Sequence, residues 1–473
     1  MIDRSEGTNP GARPAPMPMP MPLSRRARWL LRAAVPAGIG LMALVVARPA
    51  SAVPAFTDQT GMPCQACHVG GFGPQLTPFG REFKIGGYTL RSKAAVPLSA
   101  MAVASFTHTR APQVPAPDNL ASNDNLVLDQ ASLFLAGGVG KHFGGLVQTT
   151  YDGVGHQWTW DNLDLRAVTT GHVMGKDATF GLSLNNNPTV QDPWNTTAAW
   201  GFPYTDTAVS GQPAASPLID GGLAQSVLGV TGYAWIDHKL YLEAGAYSSP
   251  AAGTLNAFGT DPTSPGNLKG LAPYGRIAWQ QSLAGGTAEL GAFALKAAIY
   301  PGRDGSSGYA DHFTDVGVDA SWQKALASGD TLTLQARYVH ETSNLAASCA
   351  LGLIGDGSTP DCARTHLNEW RGDVGYNWKG KVGVNLGAFS TTGDSNAALY
   401  APTNSPNSNG VIGELNYTPW GDGKSPFGPL FNLRVGVQYT AYGKFDGARH
   451  GYDGGIANAA DNNALRVYTW AAF

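Results

Sequence analysis

Residues 431–442 read FNLRVGVQYTAY, with Phe431, Leu433, Val435, Val437, Tyr439 and Ala441 at odd positions and Asn432, Arg434, Gly436, Gln438, Thr440 and Tyr442 at even ones. Side chains of a strand point to opposite faces with period two. This segment therefore has one apolar face and one mostly polar face. WRGDVGYNW from Trp370 and LTLQARY from Leu332 repeat the pattern. About sixteen such segments follow one another, at 96–110, 123–138, 142–152, 160–174, 177–187, 223–237, 239–249, 270–283, 287–301, 311–325, 330–343, 365–379, 381–392, 408–420, 428–445 and 461–473.

Their connections alternate in length. Short ones fall at 138–141, 175–177, 237–239, 284–286, 328–330 and 379–381; long ones lie at 188–222, 250–269, 343–366 and 393–407. Two-faced strands joined by short turns at one end and long loops at the other are the signature of an outer-membrane barrel. A soluble sandwich or propeller accounts for the strands but not for the alternation of connections. The last segment, ending in Phe473, resembles the assembly signal of such barrels. Charged residues at 14%, with 61 Gly and a mean hydropathy of −0.13, suit a lipid-facing surface that alternates with a wet lumen. No apolar run of 18 residues follows the N-terminal region, so membrane-spanning helices are not expected. The expected fold is all-β: a 16-stranded antiparallel transmembrane barrel over residues 96–473, with a short N-terminal segment in or at its lumen. An even count puts both chain ends and the short turns on the periplasmic side.

The N-terminus reads as an export signal over residues 1–52. Arg25, Arg26, Arg28 and Arg32 precede the apolar run 33–46, and Ala50-Ser51-Ala52 supplies the small-residue cleavage site. A membrane anchor fits less well, because the run is short and holds Pro36 and Gly38. Arg25-Arg26 hints at twin-arginine export, which suits folded cargo rather than a barrel. The tract PMPMPMP leaves Met21 as an alternative start. Removal of the signal takes away seven Arg and two acids, leaving 24 basic and 32 acidic residues and a net charge of −8. That balance excludes nucleic acid as an expected partner.

GMPCQACHVG at 61–70 holds Cys64, Cys67 and His68 as C-x-x-C-H, the pattern of covalent haem attachment. The thiols add to the haem vinyl groups, and His68 is the expected iron ligand. A Cys64–Cys67 disulfide or a thioredoxin-like pair is the alternative, and the second wants a βαβ surround that is missing. Residues 53–95 are short for a domain of their own. Phe56, Met62, Phe72, Leu76, Phe79, Phe83 and Tyr88 supply only part of a haem shell, so the barrel is expected to complete it.

The stretch 54–90 resembles the haem segment of fused monohaem cytochrome–porins of the bacterial outer membrane, among them iron-oxidising outer-membrane cytochromes. The likeness rests on Thr60-Gly61 before the motif, on Pro74, Leu76 and Thr77 after it, and on Phe79-Gly80-Arg81, Phe83-Lys84 and Gly87-Tyr88-Thr89. Residues 185–204 also resemble the porin part of that group. The resemblance implies one haem c and electron transfer across the outer membrane. Fe(II) is the donor in its best-known members and is not implied for every member. The expected partners are outer-membrane lipid, an extracellular donor and a periplasmic carrier such as a soluble cytochrome or copper protein.

The second axial ligand is open among Met62, Met101, His108, His142, His156, His172 and Met174. Met101 and His108 lead because they lie on the first strand. A Met ligand raises the potential relative to His. By strand parity Arg166, Arg276, Arg337, Arg371, Arg434 and Arg466 point into the lumen. They read chiefly as a porin-type basic ladder and secondarily as partners of haem propionates. Cys349 and Cys362 share one long loop and are expected to form a disulfide worth about 3 kcal/mol on the chain-entropy model. A metal site with His366 is the lesser option. Asp192, Asp206 and Asp311 read as solvated loop acids. No catalytic residue is assigned. Two functions follow: an electron-transferring cytochrome–porin, or a diffusion channel whose haem segment is a plug or redox-sensitive gate.

Overall fold

The computed structural model describes residues 55–92, 97–117, 119–354, 364–427 and 431–473. The export signal over 1–52 lies outside them. Among the described residues sixteen strands make the barrel: β1 Leu98–Thr109, β2 Asn125–Val139, β3 Phe143–Asp152, β4 Gln157–Val173, β5 Lys176–Asn185, β6 Leu228–Ile236, β7 Leu240–Ser248, β8 Ala272–Leu283, β9 Gly286–Tyr300, β10 Asp311–Ala325, β11 Thr331–Asn344, β12 Arg364–Trp378, β13 Val382–Gly393, β14 Ser408–Tyr417, β15 Asn432–Lys444 and β16 Ala464–Ala472. Each of the sixteen expected segments overlaps one of them. A two-residue stub, Asn267–Leu268, pairs with the end of β9. Every pairing is antiparallel, and all but the closing one and that of the stub join neighbours in the chain. The circle closes where β1 meets β16, from Met101 opposite Ala472 to Thr109 opposite Ala464. Closure leaves no free sheet edge.

Period two sorts the side chains as expected. Val374, Val435, Val437, Leu465 and Val467 face outward and are exposed, while Ser105, Asp164, Arg276, Glu369 and Gln438 face inward and are buried. Trp279, Trp378 and Tyr417 stand on the outward face near the short turns. Two of those turns, Met174-Gly175 and Ala284-Gly285, hold both central residues at positive φ (51° and 74°; 52° and 75°). That is the turn whose twist matches the strands it joins. The connection between β14 and β15, residues 418–431, is the long exception at this end.

The lumen is not open. Residues 55–92 fold as a plug inside the turn end, and residues 186–227 turn back into the barrel from the loop end. The sequence reading of 188–222 as an outward loop is corrected here. Asn186, Thr189, Val190, Gln191, Asp192 and Trp194 are buried against the wall. Polar residues with strong lumen partners gain by turning inward, because each buried N–H and C=O can then be paired.

Candidate functional site

The plug is three short helices: α1 Ala55–Thr60, α2 Cys64–Cys67 and α3 Pro78–Ile85. Cys64 and Cys67 lie on the single turn of α2. His68 leaves it in extended conformation, its N–H donating to the Cys64 carbonyl at 2.8 Å. Residues 69–76 then fold back, tied by Val69 N–H to Gln75 O and Thr77 N–H to Cys67 O. Thr77 caps α3 by accepting from Gly80 N–H, with Pro78 in the first turn, the arrangement favoured at a helix start. Gly80 is required by close approach, since a Cβ there would collide with the Cys67 carbonyl. Phe56, Phe83 and Tyr88 pack on one another, with Phe56 stacked on Tyr88 at 5.1 Å. These three rings form the plug's own core.

Both thiols are free. Burial pushes the Cys64 thiol up, and burial together with Cys64 pushes Cys67 up to about 11. A reactive redox pair needs a lowered thiol pKa, so the environment speaks against the thioredoxin-like alternative. Burial pushes the His68 imidazole down to about 4, which keeps it neutral, the form that binds a metal. Its Nδ1 is buried and has no hydrogen-bond partner. Two free thiols and a buried neutral imidazole in the C-x-x-C-H order are a donor set that fits a c-type haem. The space beside residues 69–75 is about 20 Å³, enough for a water, and Gly61, Pro63 and Gln65 of the motif are exposed.

One apolar cluster joins the motif to the wall. Phe72, Val103, Tyr468 and Trp470 are buried together, with Cys64, Met101 and Tyr204 packed against them. Phe72 meets Trp470 edge-on at 5.1 Å. Met101 therefore reaches the neighbourhood of the motif. His108 does not: it stands at the loop end of β1, half-exposed and 2.7 Å from Asp124. His142 Nδ1 donates to the Val168 carbonyl at 2.9 Å, and His172 pairs with Asp177.

The six arginines hold the filling in place. Arg434 donates to the carbonyls of Gly70 (3.0 Å) and Phe72 (2.6 Å), and its guanidinium lies 4.9 Å from the Phe72 ring centre. Arg166 pairs with Asp164 and donates to the carbonyls of Lys84 and Gln191. Arg276 pairs with Asp192, Glu289 and Asp319. Arg337 and Arg371 share Asp220 and Glu369. Arg466 pairs with Asp129 and donates to Thr205 O. The parity reading stands, but these cations are paired rather than arrayed as an open basic ladder. Lys84 of the plug donates to the carbonyls of Val190 and Asp192 at 2.8 Å each, and Tyr88 donates to Asp164 at 2.7 Å. Plug, wall and inward segment are thus one hydrogen-bonded body. Sequence reasoning missed these roles of Lys84 and Tyr88, since neither partner is near in the chain.

Two acids need correction. Asp192 is buried and accepts from Trp194 N–H, Thr196 and Thr197. Asp311 is buried and accepts from the backbone of Ala347 and Ser348. Neither is solvated, because each fixes a loop that folds onto the wall. Asp206 is exposed on a cavity of about 360 Å³ at the loop end, lined also by Phe202, Arg337, Arg371, Asp373 and Arg466. Cys349 stands on the helix Ala346–Ala350, and its expected partner Cys362 lies outside the described residues. His366 is 2.7 Å from Asp394. Among the described residues no three His, Cys, Asp or Glu gather to hold a metal ion.

No family model matches the chain, and no curated protein does. Among solved structures it is similar to the anion-selective porin of Comamonas acidovorans, at 12% identity over 80% of this chain and 100% of that one, with a TM-score of 0.45. It is similar to OprB of Pseudomonas putida at 12% identity over 80% and 94%, TM-score 0.47. The outer-membrane channel DcaP of Acinetobacter baumannii gives 14% identity over 82% and 100%, TM-score 0.43. The barrel assignment stands on the strand pairing itself.

Proposed function

We propose that this chain is a stoppered barrel of the bacterial outer membrane that passes electrons between an extracellular donor and a periplasmic carrier through one covalent haem c. The outward apolar face of a closed barrel supports the membrane setting, since only closed barrels and helices satisfy every backbone group in lipid. The observation that carries the haem reading is the C-x-x-C-H turn seated in the barrel mouth, with free thiols and a buried neutral His68, in one cluster with Met101.

The haem, when bound, supplies a one-electron couple. Cys64 and Cys67 would hold it, and His68 would ligate the iron, with Met101 the favoured second ligand. Arg434 fixes the loop that follows the motif by its carbonyls, and Phe72 with Trp470 excludes water from that flank. The exposed edge at Gly61, Pro63 and Gln65 suits the docking of a soluble cytochrome or copper protein. Fe(II) comes as the donor from the family resemblance alone.

The fold by itself speaks for a channel, and that is the second reading. Sixteen strands ordinarily enclose an aqueous lumen, and the 360 Å³ cavity opens at the loop end. The plug would then be a gate. The experiment is haem staining of a denaturing gel combined with bilayer conductance. The cytochrome reading expects a stained band that is lost in the Cys64→Ala, Cys67→Ala double variant, and a closed lumen. An unstained wild-type band with open-pore conductance would leave the channel.

A further inference from the structure

The inward segment 186–227 lines the loop-end cavity with some of its residues and packs on the plug's apolar cluster with another, Tyr204. Phe202 lines the cavity. Its ring lies on the wall at Gly387, where a Cβ would come 2.8 Å from it. Two residues on, Tyr204 packs into the cluster of Phe72, Trp470 and Cys64. The rings of Phe202 and Tyr204 meet edge-on, 5.5 Å between centres. Phe72 and Trp470 continue the contact at 5.1 Å. Tyr204 thus packs against the same apolar cluster as Cys64, which would hold the haem, and Phe202 on the cavity is in ring contact with Tyr204.

We propose that Phe202 and Tyr204 form the electron bridge between a donor bound in the loop-end cavity and the haem segment, a proposal that rests on the haem reading above. A single haem accepts one electron at a time, and we take the donor to be a one-electron reductant, a small metal complex in its lower oxidation state. One electron leaves that complex and arrives at ferric iron, which becomes ferrous; the complex is oxidised by one unit. No bond forms or breaks. The rings serve as a tunnelling medium and are not themselves oxidised. Oxidation of a tyrosine releases its phenolic proton, and the Tyr204 hydroxyl is buried with no hydrogen-bond partner to take it. Gly387 is part of the device, because any larger side chain there pushes Phe202 off its seat.

Two measurements test this. The first needs no haem. In a Cys64→Ala, Cys67→Ala background, Phe202→Cys is expected to react with a membrane-impermeant maleimide added to whole cells, and Tyr204→Cys to stay unlabelled. Labelling of neither, or of both equally, would overturn a route that enters at Phe202. The second uses the haem-loaded protein in proteoliposomes sorted by orientation, with hexaammineruthenium(II) as reductant. The Phe202→Leu, Tyr204→Leu variant is expected to reduce at least about tenfold more slowly when the loops face out. That is a barrier change of about 1.4 kcal/mol. Its rate when the turns face out, its absorption spectrum and its potential are expected to match wild type. Covalent haem with an unchanged loop-side rate overturns the route alone. Absence of covalent haem in wild type overturns the haem reading and the route with it.

Discussion

Trp470 donates its indole N–H to the sulfur of Met101, 3.3 Å away, across the strand pair that closes the barrel. The sulfur is therefore positioned, within the apolar cluster that also holds Cys64, and an iron that takes it must displace a single weak hydrogen bond. Met101→Ala is expected to convert a six-coordinate low-spin haem to a high-spin one, read by resonance Raman spectroscopy, and to lower the potential if a water or no ligand replaces sulfur. His108→Ala is expected to change neither. An unchanged spin state in Met101→Ala would remove Met101 as the distal ligand.

Arg434 ties the wall to the plug by two bonds. It is buried, and its two donors to Gly70 O and Phe72 O are charge-assisted. Hydrogen bonds to charged groups contribute roughly 1.5–3 kcal/mol each. Arg434→Ala should therefore loosen the seating of the haem loop by about 3–6 kcal/mol. The expected outcome is faster protease cleavage within residues 61–77 and a rise in bilayer conductance. Arg434→Lys keeps the charge but loses the planar fork, so it should fall between the two. A wild-type cleavage rate in Arg434→Ala would contradict this role.

Lys84 gives the plug a pH dependence. Burial, with Arg166 adding to it, pushes its ammonium down to about 8 from the usual 10.5. The folded protein thus loses this proton near pH 8, while the unfolded chain keeps it to about 10.5. Between those values unfolding takes up a proton, so raising the pH disfavours unfolding. The contribution of Lys84 to stability is expected to rise from about pH 8 to 10.5 and to be flat below. Denaturant titrations of wild type and Lys84→Met across pH 6–10.5 check it. Wild type should gain relative to the variant only in the upper window, and parallel curves would refute the assignment.

The fold was legible because each strand meets two solvents. Val435 and Val437 answer to lipid, Arg434 and Gln438 to the lumen, and period two records both. The same parity puts Met101 and His108 on opposite faces of β1, a signal strong enough to have separated them. The motif Cys64-x-x-Cys67-His68 was legible because its chemistry is local. What fills the lumen was not. Residues 186–197 are polar and loop-like whether they turn out to water or in to the wall, and the choice is made by Arg276, 84 residues beyond Asp192. The pairing of Lys84 with Val190 O and Asp192 O is equally remote in sequence. Long-range ion pairs of this kind leave no period to read, so the arginines looked like a ladder and the acids like solvated loop residues.

The central claim is that electrons cross this barrel while solutes do not, and proteoliposomes with the loops outward test it most directly. An oxidised soluble cytochrome and a fluorescent dye are trapped inside, and hexaammineruthenium(II) is added outside. The account expects the trapped cytochrome to be reduced by wild type, to stay oxidised with the Cys64→Ala, Cys67→Ala variant, and the dye to be retained in both. Reduction at the same rate in the double variant, or a trapped cytochrome that stays oxidised in wild type, would contradict it.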